Sequence, residues 1–128
     1  MKREQLILLR EEARKVRKFL ERAAQTEPIF REFPTGACGN ASELLGHWLE
    51  SRGVKDIWYV KGQRPDVPSH AWLEIGDVVI DLTLDQFSGC ENIYMGQRTK
   101  FHESCEVSKS ALHVMSSYLN RIYNVSDH

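Results

Sequence analysis

The chain has 128 residues, of which 41% are hydrophobic and 27% charged, and its formal net charge at pH 7 is −1. These values are typical of one globular domain and exclude the strongly basic surface of a protein that binds nucleic acid. No apolar stretch approaches the roughly 20 residues that span a bilayer, and charges begin at the second residue, so neither a membrane partner nor a secretory signal is expected. Three cysteines are then expected to be reduced thiols in the cytoplasm.

The first predicted element is an amphipathic helix within residues 1–25. Its apolar positions recur at helical spacing, and its charges lie mostly on the opposite face. The pattern favours a helix that packs against the core, although a helix that binds a partner or a second copy has the same pattern. The apolar stripe consists of Leu6, Leu9, Ala13, Val16, Leu20 and Ala23.

A second helix is predicted after the loop that Pro34 and Gly36 mark. Leucine and tryptophan recur at helical spacing through residues 40–52, and a glycine follows as a stop signal. Cys38 therefore lies in the first turn of this helix or just before it. The unpaired backbone N–H groups and the positive dipole end there favour a thiolate and can bind an oxyanion.

Residues 70–81 predict a β-hairpin, because the Gly-Asp pair at 76–77 is a two-residue turn signal between alternating apolar residues. If residue 75 pairs with residue 78, residue 72 lies opposite residue 81. His70, Trp72 and Asp81 then share one face of the sheet, and Asp81 is a diagonal neighbour of His70. A carboxylate inside an apolar strand needs a partner, and His70 is the nearest candidate.

The other elements have weaker patterns. A strand is predicted within residues 56–61, followed by a loop at 62–69 that leads into His70. Residues 85–100 read as a loop with one short strand near 93–95. A last helix is predicted within residues 108–124, capped by Ser108. Its apolar stripe would consist of Ala111, Leu112, Met115, Leu119 and Ile122.

A cysteine at the start of a buried helix, then His-Ala-Trp on a strand and an aspartate on the next strand, resembles the transglutaminase-like superfamily of papain-type cysteine enzymes. The chain is similar in size and layout to small bacterial proteins related to lasso-peptide leader peptidases. The resemblance covers roughly residues 33–87 and neither end of the chain. It implies an α+β fold in which the cysteine helix packs on a small antiparallel sheet carrying the histidine and aspartate. The expected single domain, 1–128, comprises an N-terminal helix at 1–25, a catalytic core at 33–87 and a C-terminal helix at 108–124.

The expected activity is acyl transfer without a cofactor or metal. Cys38 would attack a peptide or carboxamide carbonyl to form a thioester, His70 would move the proton, and Asp81 would orient the imidazole. Resolution of the thioester by water makes a peptidase, amidase or deamidase, whereas resolution by an amine makes a transglutaminase-like acyltransferase. Asn40 and Gln63 are both candidates for a second oxyanion donor beside the Cys38 N–H. Trp72 is predicted either to shield the imidazole near the substrate or to be an ordinary core aromatic.

Three alternatives stay open from the sequence. The chain could be a non-catalytic adaptor domain that binds proteins, with Cys38, His70 and Asp81 serving only the fold. It could also be a processing subunit that is active only in a complex, with a protein partner recognising the substrate. A zinc site is the third alternative, and it is disfavoured because structural zinc sites usually take four ligands with paired short spacings. Its ligands would be Cys90, His102 and Cys105, with His113 or Glu103 as the fourth.

Overall fold

A computed structural model of the chain describes residues 1–86 and 92–126. In this part of the chain the fold is α+β, with one five-stranded antiparallel sheet in the order β4-β3-β2-β1-β5. None of the helices described is both long enough and apolar enough to cross a membrane. The elements are α1 (Arg3–Ala23), α2 (Cys38–Ser51), β1 (Ile57–Arg64), β2 (Val67–Ile75), β3 (Val78–Asp81), β4 (Tyr94–Gly96), α3 (Lys100–Ser104), β5 (Glu106–Ser110) and α4 (Ser117–Asn124).

The main core lies between the helices and one face of the sheet. The predicted apolar face of α1 is buried at Leu9, Val16 and Leu20, and it packs on α2, which in turn packs on β2. Full burial of one such leucine is worth about 1.5–3 kcal/mol. The predicted N-terminal helix and cysteine helix are therefore both confirmed. The sheet contributes Ile57, Leu73, Ile75, Val78 and Ile80 to the same cluster.

The predicted hairpin is also confirmed, including its register. Gly76 has a φ of 61°, the left-handed conformation that glycine tolerates best. Residue 75 pairs with 78, and 74 pairs with 79. The ladder ends at the pair of Leu73 and Ile80, so the expected pairing of Trp72 with Asp81 lies just beyond it. The side-chain alternation that matters for the site is unchanged.

The prediction of a loop at residues 62–69 is wrong for most of these residues. β1 continues to Arg64 and β2 already begins at Val67, so only a tight turn at residues 65–66 separates them. Proline is favoured at the second position of such a turn because its fixed φ suits it. A register shift between Gly62 and Arg64 accommodates the turn. The proline therefore marks a hairpin turn and not a long loop.

The predicted C-terminal helix begins much too early. Residues 106–110 form β5 on the outer edge of β1, and Ser108 lies within this strand. Four of its five residues are exposed, so no apolar alternation reveals the strand in the sequence. The helix starts at Ser117, where the Ser116 side chain accepts a hydrogen bond from the Leu119 N–H at 3.1 Å. The short strand predicted near 93–95 is confirmed as β4, whereas α3 was not predicted.

Candidate active site

One face of the sheet packs against the apolar core described above. The other face carries buried polar side chains. His70 and Trp72 on β2 and Asp81 at the end of β3 have exposed fractions of 1%, 0% and 0%. They surround a small apolar cluster that includes Val60 and Val79. The alternation of the hairpin produces this arrangement, because every second residue of an antiparallel strand points to the same face.

His70 and Asp81 form the predicted pair. The His70 Nε2 atom lies 2.7 Å from Asp81 Oδ2, and the other carboxylate oxygen accepts the Thr83 backbone N–H at 3.1 Å. Burial raises the pKa of Asp81, but hydrogen bonds and charges from two histidines outweigh burial and hold that pKa below its usual range. Asp81 is therefore a carboxylate at neutral pH.

The second histidine on Asp81 is His102, from the short helix α3. Its Nε2 atom lies 2.8 Å from the same Oδ2 atom, and its Nδ1 atom lies 3.1 Å from the Thr99 backbone N–H. A backbone amide can only donate, so Nδ1 must accept, and the ring proton on Nε2 is donated to Asp81. The capping box that Thr99 and His102 form at the start of α3 fixes this ring.

The role of His102 differs from the one considered in the zinc alternative. Asp81 and Thr99 occupy both of its ring nitrogens, which leaves no lone pair for a metal. Within residues 1–86 and 92–126 no group of three or more histidine, cysteine or acidic side chains has the arrangement of a metal site. Cys90 lies outside the described residues. Cys105 is half-buried, with its thiol 3.4 Å from the Phe101 carbonyl oxygen.

Cys38 is the first residue of α2, and no side chain caps this helix. The N–H groups of the first turn have no partner within the helix, and no capping side chain accepts from them. The sulfur lies 3.9 Å from the Ser69 carbonyl oxygen and within hydrogen-bonding reach of the His70 side chain. Burial raises the pKa of the thiol, but His70 and the N–H groups of Ala71 and Gly39 outweigh burial and lower that pKa below its ordinary value.

The pKa of His70 is shifted in the opposite direction to that of the Cys38 thiol. Burial lowers the pKa of its imidazole, but the hydrogen bonds and charges of Asp81 and Cys38 outweigh burial and raise that pKa to about 9. Since Asp81 occupies Nε2, the thiol can pair only with Nδ1, which the Gln86 side chain also contacts. A lowered cysteine pKa and a raised histidine pKa together favour a thiolate–imidazolium pair at neutral pH.

Gln86 is a neighbour of His70 that sequence reasoning missed. Its side-chain nitrogen lies 3.0 Å from His70 Nδ1, in the segment that follows β3. An amide nitrogen only donates, so this contact belongs to the neutral imidazole, and the imidazolium requires the amide oxygen at the same place. Arg17 of α1 holds this segment, with hydrogen bonds of 2.6 Å to the Leu82 carbonyl and 2.8 and 2.9 Å to the Asp85 carboxylate. The sequence gives no signal for this contact, because Arg17 is one of many charges on the N-terminal helix and its partner lies 68 residues away.

Two residues next to Cys38 each line an open cavity. Ser69, whose carbonyl contacts the sulfur, lines a cavity of about 620 Å³ together with Gln63 and Arg64. Gly39, which follows the cysteine, lines another of about 340 Å³ together with Asn40, Glu43, Tyr59 and His113. The two predicted oxyanion candidates, Asn40 and Gln63, therefore line different cavities.

Trp72 does not reach either cavity. It is fully buried, its indole N–H is donated to Glu74 at 2.9 Å, and its ring centroid lies 5.8 Å from that of His70. The expected shielding of the imidazole fits this position, whereas contact with a substrate does not. A donated indole N–H also cannot serve as an oxyanion donor.

Comparison with known proteins found no matching family model, curated protein or solved structure.

Proposed function

We propose that this protein is a cysteine-dependent acyl-transfer enzyme of the papain or transglutaminase-like type. The observation that carries the proposal is the continuous chain from Cys38, at an uncapped helix start, through His70 to the buried carboxylate of Asp81. A nucleophile, a base and a group that orients the base, each within hydrogen-bond reach of the next, are the requirements of this chemistry.

Acylation begins with attack of the Cys38 thiolate on the carbonyl carbon of a peptide or carboxamide. The new C–S bond displaces the π electrons of the carbonyl onto its oxygen, and the N–H groups at the start of α2 stabilise that charge. His70 gives its Nδ1 proton to the leaving amine as the C–N bond breaks, leaving a thioester. Asp81 remains ionised and keeps the other ring proton on Nε2.

Deacylation reverses the proton transfer. His70 accepts a proton from the incoming water or amine, which attacks the thioester and expels the thiolate. Water gives a carboxylic acid, as in a peptidase, amidase or deamidase, and an amine gives a new amide, as in a transglutaminase-like transferase. His102 and the Thr83 N–H act throughout as positioning groups that hold the Asp81 carboxylate.

The surroundings of the sulfur support a peptide or protein substrate. Gly39, which follows Cys38, and Ser69, whose carbonyl contacts the sulfur, line two open cavities, and an extended substrate chain can occupy both. The proposal places the enzyme in the cytoplasm, because the nucleophile must stay a reduced thiol. Recognition by an additional protein partner is compatible with this surface, and the proposed chemistry needs no cofactor.

The test uses p-nitrophenyl acetate as the acyl donor and peptide mapping by mass spectrometry as the readout. We expect one acetyl group on Cys38 that hydroxylamine removes, as a thioester requires. His70→Ala should slow its formation by about 10²–10⁴-fold, and Cys38→Ala should abolish it. Turnover with and without added glycinamide distinguishes transfer to an amine from hydrolysis. Equal acetylation of Cys38 and Cys105, unchanged in His70→Ala, would support the non-catalytic adaptor instead.

A further inference from the structure

The hydroxyl of Tyr59 lies above the first turn of the cysteine helix. Tyr59 is on β1, half-buried, and lines the cavity of about 340 Å³ that Gly39 also lines. A Cβ atom added to Gly39 would come within 3.1 Å of this hydroxyl oxygen. The absence of a side chain at residue 39 is therefore what lets the phenol approach the helix start, one residue from the nucleophile.

Packing of the ring holds the Tyr59 hydroxyl in place, and the hydroxyl is available to donate a hydrogen bond. Its ring packs edge-on against His113, with centroids 5.0 Å apart, and within the described residues no hydrogen bond engages the hydroxyl. Tyr94 and Tyr123, by contrast, donate to backbone carbonyls at 2.5 and 3.3 Å. Burial, followed by the charges of Cys38 and Glu43, raises the pKa of Tyr59 to about 12, so its O–H proton is retained at neutral pH.

We propose that Tyr59 is the second oxyanion donor and therefore a catalytic residue. Its O–H donates a hydrogen bond to the oxygen of the tetrahedral adduct on Cys38 and keeps its own proton. The inference deepens the proposed acyl-transfer function and rests on it. It also sets the direction of the substrate, because the carbonyl oxygen must then point into the cavity between Gly39 and Tyr59.

Preorganisation favours Tyr59 over the two donors predicted from the sequence. A donor contributes most when its position is already fixed before charge develops on the substrate. The Gln63 side chain is exposed and lines the other cavity, so it must lose rotational freedom to act. The Asn40 side chain lines the same cavity as Tyr59 but lacks the ring packing that fixes the phenol.

The test compares two reactions of the same sulfur in Tyr59→Phe. Alkylation by iodoacetamide displaces iodide at a saturated carbon and forms no oxyanion, whereas acylation by p-nitrophenyl acetate passes through a tetrahedral oxyanion. We expect acylation of Cys38 to fall about 10²–10³-fold and alkylation to stay within about twofold. Tyr118→Phe is the matched control, since it removes one hydroxyl from a half-buried tyrosine in α4, and it should change neither rate.

The outcomes separate this inference from the proposed function. Equal losses in both reactions would mean that Tyr59 acts on the thiolate, and no loss in either would mean that it does not act; both results overturn the inference while the acyl-transfer proposal stands. A wild-type Cys38 that reacts no faster than Cys105 with either reagent overturns both. Thermal melts of Tyr59→Phe should match the wild type, which excludes misfolding as the cause of a slower acylation.

Discussion

Two buried carboxylates on the same face of the sheet have opposite kinds of partner. Glu74 on β2 is surrounded by permanent cations, with Arg98 at 2.7 Å and Lys109 at 3.0 Å, and it also accepts the Trp72 N–H. Burial raises the pKa of Glu74, but these partners outweigh burial and lower it to about 2. Asp81 on β3 is instead surrounded by two imidazoles and one backbone amide.

The kind of partner indicates which of the two carboxylates can support proton transfer. A carboxylate paired with arginine and lysine stays in one protonation state through the physiological range, and its partners cannot exchange protons there. A carboxylate paired with histidine sets the protonation of an imidazole, and an imidazole can exchange protons in the physiological range. We therefore assign Glu74 to the stability of the fold and Asp81 to the reactivity of Cys38. Each of the following predictions tests one side of this assignment.

The largest effect is expected for Asp81→Asn. Both histidines contact the same oxygen, so an amide oxygen can replace it, but the negative charge is lost. Burial then dominates the pKa of His70 and lowers it, which removes the imidazolium that stabilises the thiolate. Acylation of Cys38 by p-nitrophenyl acetate should fall about 10²–10⁴-fold at pH 7.

Glu74→Gln is the matched control for that experiment, because it removes one buried carboxylate from the same sheet face. It should leave acylation of Cys38 within about threefold of the wild type. If both variants lost the reaction to the same extent, the distinction between the two carboxylates would be wrong.

A smaller effect on reactivity is expected at His102. His102→Leu removes the hydrogen bond from Nε2 to Asp81 and should slow acylation about tenfold, because a loss of about 1.4 kcal/mol corresponds to that factor. His102→Gln can place an amide N–H near the former Nε2 atom and should restore most of the rate. Equal rates in both variants, with equal melting temperatures, would show that His102 does not position Asp81.

The stability of the fold should depend on Glu74 in a pH-dependent way. Glu74→Gln should cost about 2 kcal/mol at neutral pH, a fall in melting temperature of roughly 6–12 °C at this chain length. The pKa of Glu74 is lower in the folded protein than its ordinary value of 4.5, so its contribution is present above pH 4.5 and is lost as the pH falls toward 2. Melting curves of both proteins should therefore converge in that range. A gap independent of pH would contradict the ion-pair explanation.

The hairpin and the pairing of His70 with Asp81 could be predicted from the sequence because both depend on local signals. The turn at 76–77 sets the register, and the period of two sets the face. The position of Cys38 is likewise local, since a helix start follows from its own glycines and apolar spacing. The predicted Cys-His-Asp arrangement spans only residues 38–81, which the two N-terminal helices and the hairpin position.

The rest of the site could not be predicted, because it depends on segments that are far apart in sequence. His102, Arg98 and Lys109 lie in polar stretches whose structure is set by docking onto β1 and β3, and β5 shows no apolar alternation. Tyr59 was predicted only as part of a strand. Its nearness to Gly39 depends on how α2 crosses the sheet, and a single sequence carries no signal for that.

The most direct test of the assignment is the pH dependence of alkylation of Cys38 and Cys105, measured together with iodoacetamide and peptide mapping. Cys105 is a matched thiol in the same protein, and burial raises its pKa above the ordinary value of 9.0. Cys38 should react faster than Cys105 at pH 6–7, and its rate should change again near pH 9, where His70 loses its proton. Cys105 should react slowly until higher pH. Two thiols that titrate alike, with neither reacting below pH 8, would contradict the account.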